Sequence, residues 1–280
     1  MSLKRATESE LEADTRNTQP HGTGPDFKYV GRKPAASLFR NQITLVGNLS
    51  PKALIVKAVI KLGGFAFSTE HPKPLVEEYV RVLRELVGEW HLVVVAGGGP
   101  IARSYIKIAR DMKVPESLCD QLGILVSRLN ARLLVDGLGE YAFPEIPVNI
   151  DELKHYFASG KVVAMGGLQP GHSTNAVAAI AAETITADLF LNATDVAGVY
   201  TADPNKDPKA KMLDQVTISQ LTALLSKGEM AAGTYELMDP LALRIIQRSK
   251  VPTVIVDGRN PENVPKALRG DKVGTRLVHD

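Results

Sequence analysis

Three glycine-rich turns are the segments of this chain that are best suited to chemistry, and each follows a short apolar run. The first turn is Gly63 and Gly64, the second is residues 97–99, and the third is Gly166 and Gly167. In an open α/β sheet, ligands bind outside the carboxyl ends of the strands. Glycine at such an end lets backbone N–H groups approach a phosphate closely. Three turns of this kind predict a site that binds several phosphates rather than one anion.

Lys61 is the first candidate catalytic residue, because it lies two residues before Gly63 within an apolar run. It could be an ordinary solvated strand residue. Its apolar neighbours favour a strand that is buried on both faces, and a buried charge needs a partner. A phosphoryl group in transfer is such a partner, since catalysis of that step consists mostly of positioning and charge neutralisation.

The second turn leads into a predicted helix, because Pro100 is typical of a first helical position. A helix N-terminus binds anions, and we expect Arg103 in its first turn to donate to a phosphate. Asp120 opens a second, longer helical pattern at 117–138. Two interpretations of Asp120 stay open: a helix cap or dipole partner, and an acceptor of hydrogen bonds from ribose hydroxyls.

The third turn continues as a polar loop that runs into a helical pattern at 174–186. The hydroxyls of Ser173 and Thr174 can cap this helix, and they can equally bind a nucleotide. His172 is a lone loop histidine, which is more typical of a polar contact than of a catalytic base.

A fourth polar segment follows the strand pattern at 189–193. Tyr200 offers a flat face to a base, and Asp203 offers a carboxylate to ribose, phosphate or Mg²⁺. The alternative for Asp203 is a simple Asp-Pro turn with Pro204. The chain has neither a P-loop motif nor a dinucleotide-binding G-x-G-x-x-G fingerprint, so those two nucleotide-binding folds are poorly supported.

The elements that must position these residues alternate between strand and helix from about residue 57. This alternation predicts an α/β fold, a three-layer α/β/α sandwich with a mostly parallel central sheet. Strands are predicted at 58–62, 91–96, 161–165, 189–193 and 253–256, and helices at 74–87, 101–112, 117–138, 174–186, 219–225 and 240–248.

The chain divides by composition into one compact domain at 57–280, which we expect to carry the site, and an N-terminal extension at 1–56. The extension is polar, rich in glycine and proline, and without apolar periodicity, which predicts a disordered or loosely packed segment. The alternative is an arm that contacts a neighbouring subunit.

Composition limits the function classes that remain. The chain has 280 residues, is 44% hydrophobic and 23% charged, and carries a net charge of +2, which is ordinary for a globular protein. Nothing in this balance indicates a nucleic-acid or membrane surface. Cys119 is the single cysteine, so an internal disulfide is excluded. We therefore expect a cytoplasmic enzyme or binding protein whose partners are small molecules.

The ordered set of motifs resembles the amino-acid kinase superfamily, and within it the archaeal-type uridylate (UMP) kinases. The resemblance covers residues 57–278. It rests on KLGG at 61–64, AGGGPIAR at 96–103, DQLG at 120–123, GVYTADP at 198–204, AGTYELMDP at 232–240 and GDKVGT at 270–275.

The resemblance implies ATP-dependent phosphorylation of UMP to UDP with Mg²⁺, a step of pyrimidine nucleotide biosynthesis, in a homo-oligomer, usually a hexamer. It implies catalytic roles for Lys61 and Asp239, with Asp239 orienting the lysine, and it assigns no protein ligand to the metal. On the donor side it implies Gly63, Gly64, Gly99, Arg103, Thr194, Tyr200 and Asp203. On the UMP side it implies Gly98, Asp120 at the ribose, Leu168, Gln169, Pro170, Gly171, His172, Ser173 and Thr174.

Three positions depart from the family pattern. Phe65 stands where a small hydroxyl residue is frequent, and Asn175 and Ala197 stand where acids are usual. A non-catalytic nucleotide-binding or oxyanion storage protein of the same superfamily is therefore the alternative. Isopentenyl phosphate kinase is a weaker one, because the histidine that it uses soon after the second glycine turn is absent from residues 100–107.

Overall fold

The computed structural model describes residues 56–68, 75–202, 207, 209–226 and 237–280. Strands in this part of the chain form one sheet in the order β3-β2-β1-β4-β6-β7-β5. Neighbouring strands pair in parallel except β6 and β7, which are antiparallel. The strands are β1 Val56–Leu62, β2 Trp90–Ala96, β3 Val163–Met165, β4 Leu189–Thr194, β5 Gln215–Thr217, β6 Thr253–Asp257 and β7 Thr275–Val278.

Helices connect the strands and cover both faces of the sheet. None of them, in the described part of the chain, combines the length and the apolar composition that a membrane-spanning helix needs. They are α1 Leu75–Leu86, α2 Gly99–Asp111, α3 Glu116–Leu138, α4 Ile150–Phe157, α5 Thr174–Thr184, α6 Ile218–Ser226, α7 Pro240–Ser249 and α8 Asn263–Leu268, with short 3-10 helices at Gly64–Phe67 and Gly139–Tyr141.

The core lies in two layers, one on each face of the sheet. Val59 and Val93 face one layer, which contains residues of α4, α5, α6 and α7. Ile60 and Val94, one position farther along each strand, face the other layer, which contains residues of α1, α3 and α8. Successive side chains of a strand point to opposite faces, and a strand that is buried on both faces needs a continuous apolar run. The predicted three-layer α/β/α sandwich with a mostly parallel sheet is confirmed.

The sequence patterns missed β5 and β7 at one edge of the sheet. β5 has three residues and β7 has four, and both alternate exposed or half-buried positions with buried ones. Runs this short do not give a clear two-residue period. The third predicted strand also begins later than expected, at Val163 instead of 161, because Val162 makes only an isolated bridge with Ala142.

The patterns also missed two short helices, α4 and α8. A signal for α4 was present, since the side chain of Asn149 accepts from the N–H of Glu152 and Glu152 reaches back to Val148, an arrangement close to a capping box. α8 has six residues and contains Pro265, so no periodicity could reveal it.

Candidate active site

A cavity of about 680 Å³ opens at the carboxyl ends of β1, β2 and β4. All three glycine turns contribute to its wall, as the strand-end argument predicted. The predicted site residues that line it are Lys61, Gly63, Gly64, Gly98, Gly99, Arg103, Asp120, His172, Thr174 and Thr194.

The first two glycine turns lie in direct contact. The N–H of Gly97 donates to the carbonyl of Leu62 at 2.9 Å. A β-carbon on Gly64 would overlap the backbone of Gly99 and lie 3.0 Å from the carbonyl carbon of Gly98. Gly99 also has φ +65, in the left-handed region. Glycine is therefore required here both by backbone conformation and by the close approach of two chains.

Lys61 is buried with 8% of its surface exposed, and it lines the cavity. It lies two residues after Val59 on β1, so its side chain is on the face that α5 and α7 cover. The N-termini of these two helices lie at the same end of the sheet as the cavity, and a helix N-terminus carries a positive partial charge. Each of the two helix N-termini therefore adds a partial charge that is favourable for an anion at this end of the sheet.

Asp239 caps α7 and connects it to α5. Its Oδ1 accepts from the N–H groups of Leu241 and Ala242, both at 3.0 Å. Its Oδ2 accepts a hydrogen bond from the hydroxyl of Ser173, which caps α5 by accepting from Ala176 N at 3.0 Å. The capping interpretation of Ser173 is thus confirmed, and the orientation of Lys61 by Asp239 stays a prediction.

Asp120 lies one turn inside α3, which begins at Glu116, and this corrects the interpretation of Asp120 as the residue that opens the helix. The N-cap position is Pro115, and no side chain caps the helix there. The Oδ2 of Asp120 instead accepts from the N–H of Gly171 at 2.8 Å, so that it connects α3 to the polar loop after the third turn. Its carboxylate also faces the cavity, where a ribose could bind.

The polar loop at 168–174 contributes two residues to the cavity wall. Gly171 has φ +80, and the side chains of Gln169 and His172 approach each other at 3.1 Å. Only His172 and Thr174 of this loop line the cavity, while the remaining predicted UMP contacts of the loop lie beside it: Leu168, Gln169, Pro170, Gly171 and Ser173.

Three polar residues of α3 were missed by sequence reasoning, although they hold two of the glycine turns. Asn130 donates to the carbonyl of Gly97 at 2.7 Å. Ser127 accepts from the N–H of Gly167 at 2.8 Å, and Arg128 donates to the carbonyl of the same residue at 2.9 Å. The available signal was the spacing of the polar residues Asp120, Ser127 and Asn130, which are seven and three positions apart and therefore lie on one side of a helix.

A second missed residue, Arg110, lines the cavity at the far end of α2. Its Nε and Nη2 donate to the two carboxylate oxygens of Glu116 at 2.8 and 2.7 Å. This hydrogen-bonded pair raises the pKa of Arg110 and lowers the pKa of Glu116. Arg103 and Arg110 are two helical turns apart, so α2 presents two cations to the same cavity.

The end of β4 and Phe65 form another part of the cavity wall. Thr194 is buried and its hydroxyl accepts from the N–H of Val196 at 3.0 Å, and Asp195 is exposed to the cavity. A β-carbon on Gly258 would lie 2.7 Å from the Phe65 ring, so the ring occupies the space beside this glycine. Phe65 thus supplies an apolar wall where a hydroxyl residue is frequent.

Tyr200 does not line the cavity. It packs against the core as a half-buried residue and makes an antiparallel bridge with Met212. Asp203, the other predicted ATP contact in this segment, lies outside the described residues. Of the two replaced acids, Asn175 is buried, and among the described residues its Oδ1 has no hydrogen-bond partner, while Ala197 is half-buried.

The family model described as "Amino acid kinase family" matches residues 57–257, which is more than half of the chain. The chain belongs to the amino acid kinase family. The matched segment contains the strands and glycine turns that form the cavity. The family assignment and the geometry therefore concern the same part of the molecule.

The similarity extends over nearly the whole length of individual relatives. A uridylate kinase of Methanobrevibacter smithii is 42% identical over 223 residues, which are 80% of this chain and 99% of that protein. A uridylate kinase of Hyperthermus butylicus is 45% identical over 79% of this chain and 97% of its own. Among solved structures, uridylate kinase from Archaeoglobus fulgidus superimposes with a TM-score of 0.72 at 41% identity, covering 80% of this chain and all of that one.

Proposed function

We propose that this chain transfers the γ-phosphoryl group of ATP to UMP and forms UDP and ADP. The observation that carries the proposal is the cavity itself, which brings three glycine turns, a buried lysine and the Asp120 carboxylate together in a chain similar to uridylate kinases over almost their entire length. The chain is thus a nucleoside monophosphate kinase, and its reaction supplies UDP for pyrimidine nucleotide biosynthesis.

The donor phosphates bind at the first two glycine turns. Gly63, Gly64 and Gly99 lie beside the transferred group and the ATP phosphates. The N–H groups of Gly64 and Gly99 donate to these phosphates, as does Arg103 from the first turn of α2, whereas the N–H of Gly63 donates to the carbonyl of Ala193 at 3.0 Å. Thr194 lines the ATP side at the end of β4. The proposed roles of Tyr200 and Asp203 at ATP rest on the motif alone.

The acceptor binds between α3 and the polar loop. Asp120 accepts hydrogen bonds from the ribose hydroxyls of UMP, and Gly98, His172 and Thr174 surround the rest of the nucleotide. The other UMP contacts come from the loop residues Leu168, Gln169, Pro170, Gly171 and Ser173, whose backbone closes this side.

In the transfer, a phosphate oxygen of UMP forms a bond to the γ-phosphorus of ATP. The bond from that phosphorus to the β,γ-bridging oxygen breaks, and ADP leaves with the electron pair. Lys61 neutralises the charge on the transferring group, and Asp239 orients Lys61. Positioning and charge neutralisation account for most of the catalysis in reactions of this class.

Mg²⁺ accompanies ATP in this proposal, and the residues present fit a metal that is bound mainly through phosphates. No three histidine, cysteine or carboxylate side chains of the described residues are grouped closely enough to hold a metal ion by themselves. Mg²⁺ typically needs only one or two carboxylates beside substrate phosphates, and Asp195 faces the cavity as a candidate. When bound, the ion would neutralise charge on the β- and γ-phosphates.

We also propose that the protein is a homo-oligomer, a hexamer built from dimers. Support comes from an apolar face on α2 and α3, whose side chains are exposed from 40% at Ile101 to 72% at Met112. Monomers rarely expose apolar patches larger than a few hundred Å². The α2–α3 apolar face consists of Ile101, Tyr105, Ile108, Met112, Leu118, Leu125, Leu129 and Leu133.

One assay tests this function against its alternatives. ADP release is measured with UMP, CMP, AMP and isopentenyl phosphate as acceptors, and we expect turnover with UMP to exceed turnover with the others. Absence of ADP release with all four acceptors would favour the non-catalytic storage protein, for which no comparison or contact provides support. A cytoplasmic location remains a prediction from the sequence.

A further inference from the structure

We infer that Asn130 is a positioning residue that holds the second glycine turn in register with the acceptor loop. The inference rests on the proposed function, because its consequence is the alignment of the acceptor phosphate with the transferred phosphoryl group. Asn130 touches neither nucleotide in this proposal. It acts through the backbone carbonyl of Gly97.

The bond from Asn130 is well buried. The side chain is 3% exposed, and its Nδ2 donates to the carbonyl of Gly97 at 2.7 Å and to that of Gly98 at 3.4 Å. The N–H of Gly97 donates to Leu62, so the turn is held on one side by β1 and on the other by α3. A buried carbonyl that loses its donor keeps its desolvation penalty without a compensating hydrogen bond, so the turn would move rather than stay unpaired.

The same helix holds the third turn one helical turn earlier. Ser127 is 1% exposed, donates to the carbonyl of Ile124 at 2.7 Å and accepts from the N–H of Gly167 at 2.8 Å. The contact is close, since a β-carbon on Gly166 would lie 2.7 Å from the carbonyl carbon of Ser127.

One rigid helix therefore fixes the distance between two parts of the site. The second turn carries the contacts proposed for the transferred group, and the third turn begins the loop proposed for UMP. A displacement of about 1 Å between reacting groups can cost on the order of 10²-fold in rate. Loss of the Asn130 bond should therefore lower kcat while it leaves the binding contacts of each nucleotide in place.

The test compares Asn130→Ala and Asn130→Asp with wild type in the UMP assay. We expect Asn130→Ala to lower kcat by about 10- to 100-fold, with both KM values changed less than about threefold. Asn130→Asp has almost the same size, but only its neutral carboxyl can donate to Gly97. Its kcat relative to wild type should therefore be higher at pH 6 than at pH 8.5.

Asn149→Asp is the matched control, because Asn149 is an exposed cap of α4 that accepts from Glu152 N and stays a cap as aspartate. Its kcat relative to wild type should not change with pH. Hydrogen exchange is measured in parallel, and amides at 97–99 should exchange faster in Asn130→Ala than in wild type.

Two outcomes overturn the inference alone. In the first, the wild type is active and the kcat of Asn130→Ala lies within about twofold of the wild-type value. In the second, the kcat of Asn130→Ala is lower, but its unfolded fraction fully explains the loss and amide exchange at 97–99 is unchanged. A wild type that phosphorylates none of the acceptors overturns the proposed function first, and the alignment role with it.

Discussion

The positions of individual site residues are determined by strand geometry and by the close approach of two backbone segments. Gly64 and Gly99 approach too closely for any side chain, and Lys61 reaches the cavity because it follows Val59 by the two-residue period of a strand. The cation is thus presented by a rigid strand rather than by a mobile loop. A preorganised charge of this kind stabilises a transition state more than a ground state.

The first prediction concerns Lys61. Lys61→Ala should lower kcat by about 10²-fold or more and change either KM much less, because the charge acts mainly on the transferring group. Steady-state kinetics with ATP and UMP measure both constants. An unchanged kcat with a raised KM for ATP would make Lys61 a binding residue only.

The second prediction concerns Asp120. Asp120→Ala should raise the KM for UMP by roughly 10- to 100-fold, because hydrogen bonds to a charged group contribute about 1.5–3 kcal/mol. Part of this loss comes from the bond to Gly171 N, which the carboxylate accepts at 2.8 Å. The KM for ATP should barely change. A fall in melting temperature with the KM for UMP intact would refute the acceptor role.

The third prediction separates the two tasks of Asp239. Asn caps a helix about as well as Asp does, so Asp239→Asn should keep the melting temperature within a few degrees of wild type. It removes the charge that would orient Lys61, so kcat should fall by about tenfold or more. Wild-type kcat in this variant would leave Asp239 as a helix cap alone.

At the scale of elements, α3 is the member that relates the parts of the site to one another. It contacts the second turn through Asn130, the third through Ser127 and the polar loop through Asp120. α2, by contrast, buries only Ala102 and Ala109 and carries its cations on one face. α3 is thus a well-packed helix beside the polar loop, and α2, which packs against it, has an unpaired apolar face in the described structure.

The opposite end of the sheet provides a prediction of pH dependence. His91 at the start of β2 stacks on Phe157, with ring centroids 3.6 Å apart. Burial lowers the pKa of His91, a hydrogen bond with the Phe157 backbone opposes this, and the charge of Lys57 lowers the pKa further. The imidazole is therefore neutral in the folded chain at pH values where an unfolded chain would begin to bind a proton.

The fourth prediction follows from the sign of this shift. The contribution of His91 to the free energy of unfolding is present above the unfolded pKa of about 6.5 and is lost as pH falls through the lower folded pKa. Denaturant unfolding between pH 5 and pH 8 (about the range where histidine titrates) should show this decline, and His91→Gln should reduce it. His155→Gln, at an exposed histidine of α4, is the control and should leave the decline in place.

At the scale of the whole molecule, the α2–α3 apolar face connects assembly with the site. The leucines of α3 at positions 118, 125, 129 and 133 recur every four or seven residues, which is the spacing of a helix seam. A second copy related by a two-fold axis would present the same seam, so one surface can cover the other.

The fifth prediction tests this assembly. Leu125→Lys places a charge in the seam and should convert the oligomer into smaller species, measured by light scattering at several protein concentrations. Val148→Lys is the matched control, since Val148 is 43% exposed but lies outside the α2–α3 apolar face. An unchanged mass for Leu125→Lys would exclude this face as the contact.

Much of the fold could be predicted from sequence because the signals are local. The apolar runs of β1, β2 and β4 and the periodic patterns of the longer helices are properties of neighbouring residues, and so are the glycine turns that end the strands. The glycine turns and Lys61 beside them, which line one cavity, could be identified from those patterns. The antiparallel pairing of β6 with β7 did not, because short edge strands have no strong pattern of their own.

The tertiary structure decided which of these local features act together. From the sequence, Asp120 could be a helix cap or dipole partner or an acceptor for ribose hydroxyls. The structure adds a long-range hydrogen bond to it from Gly171, which is 51 residues away. Asn130 and Ser127 looked like ordinary helix residues, and they hold turns that lie 33 and 40 positions away. Local sequence sets conformation, whereas the pairing of buried polar groups depends on which elements pack against each other. Most buried donors and acceptors have a partner, and only the packed chain determines which one each receives.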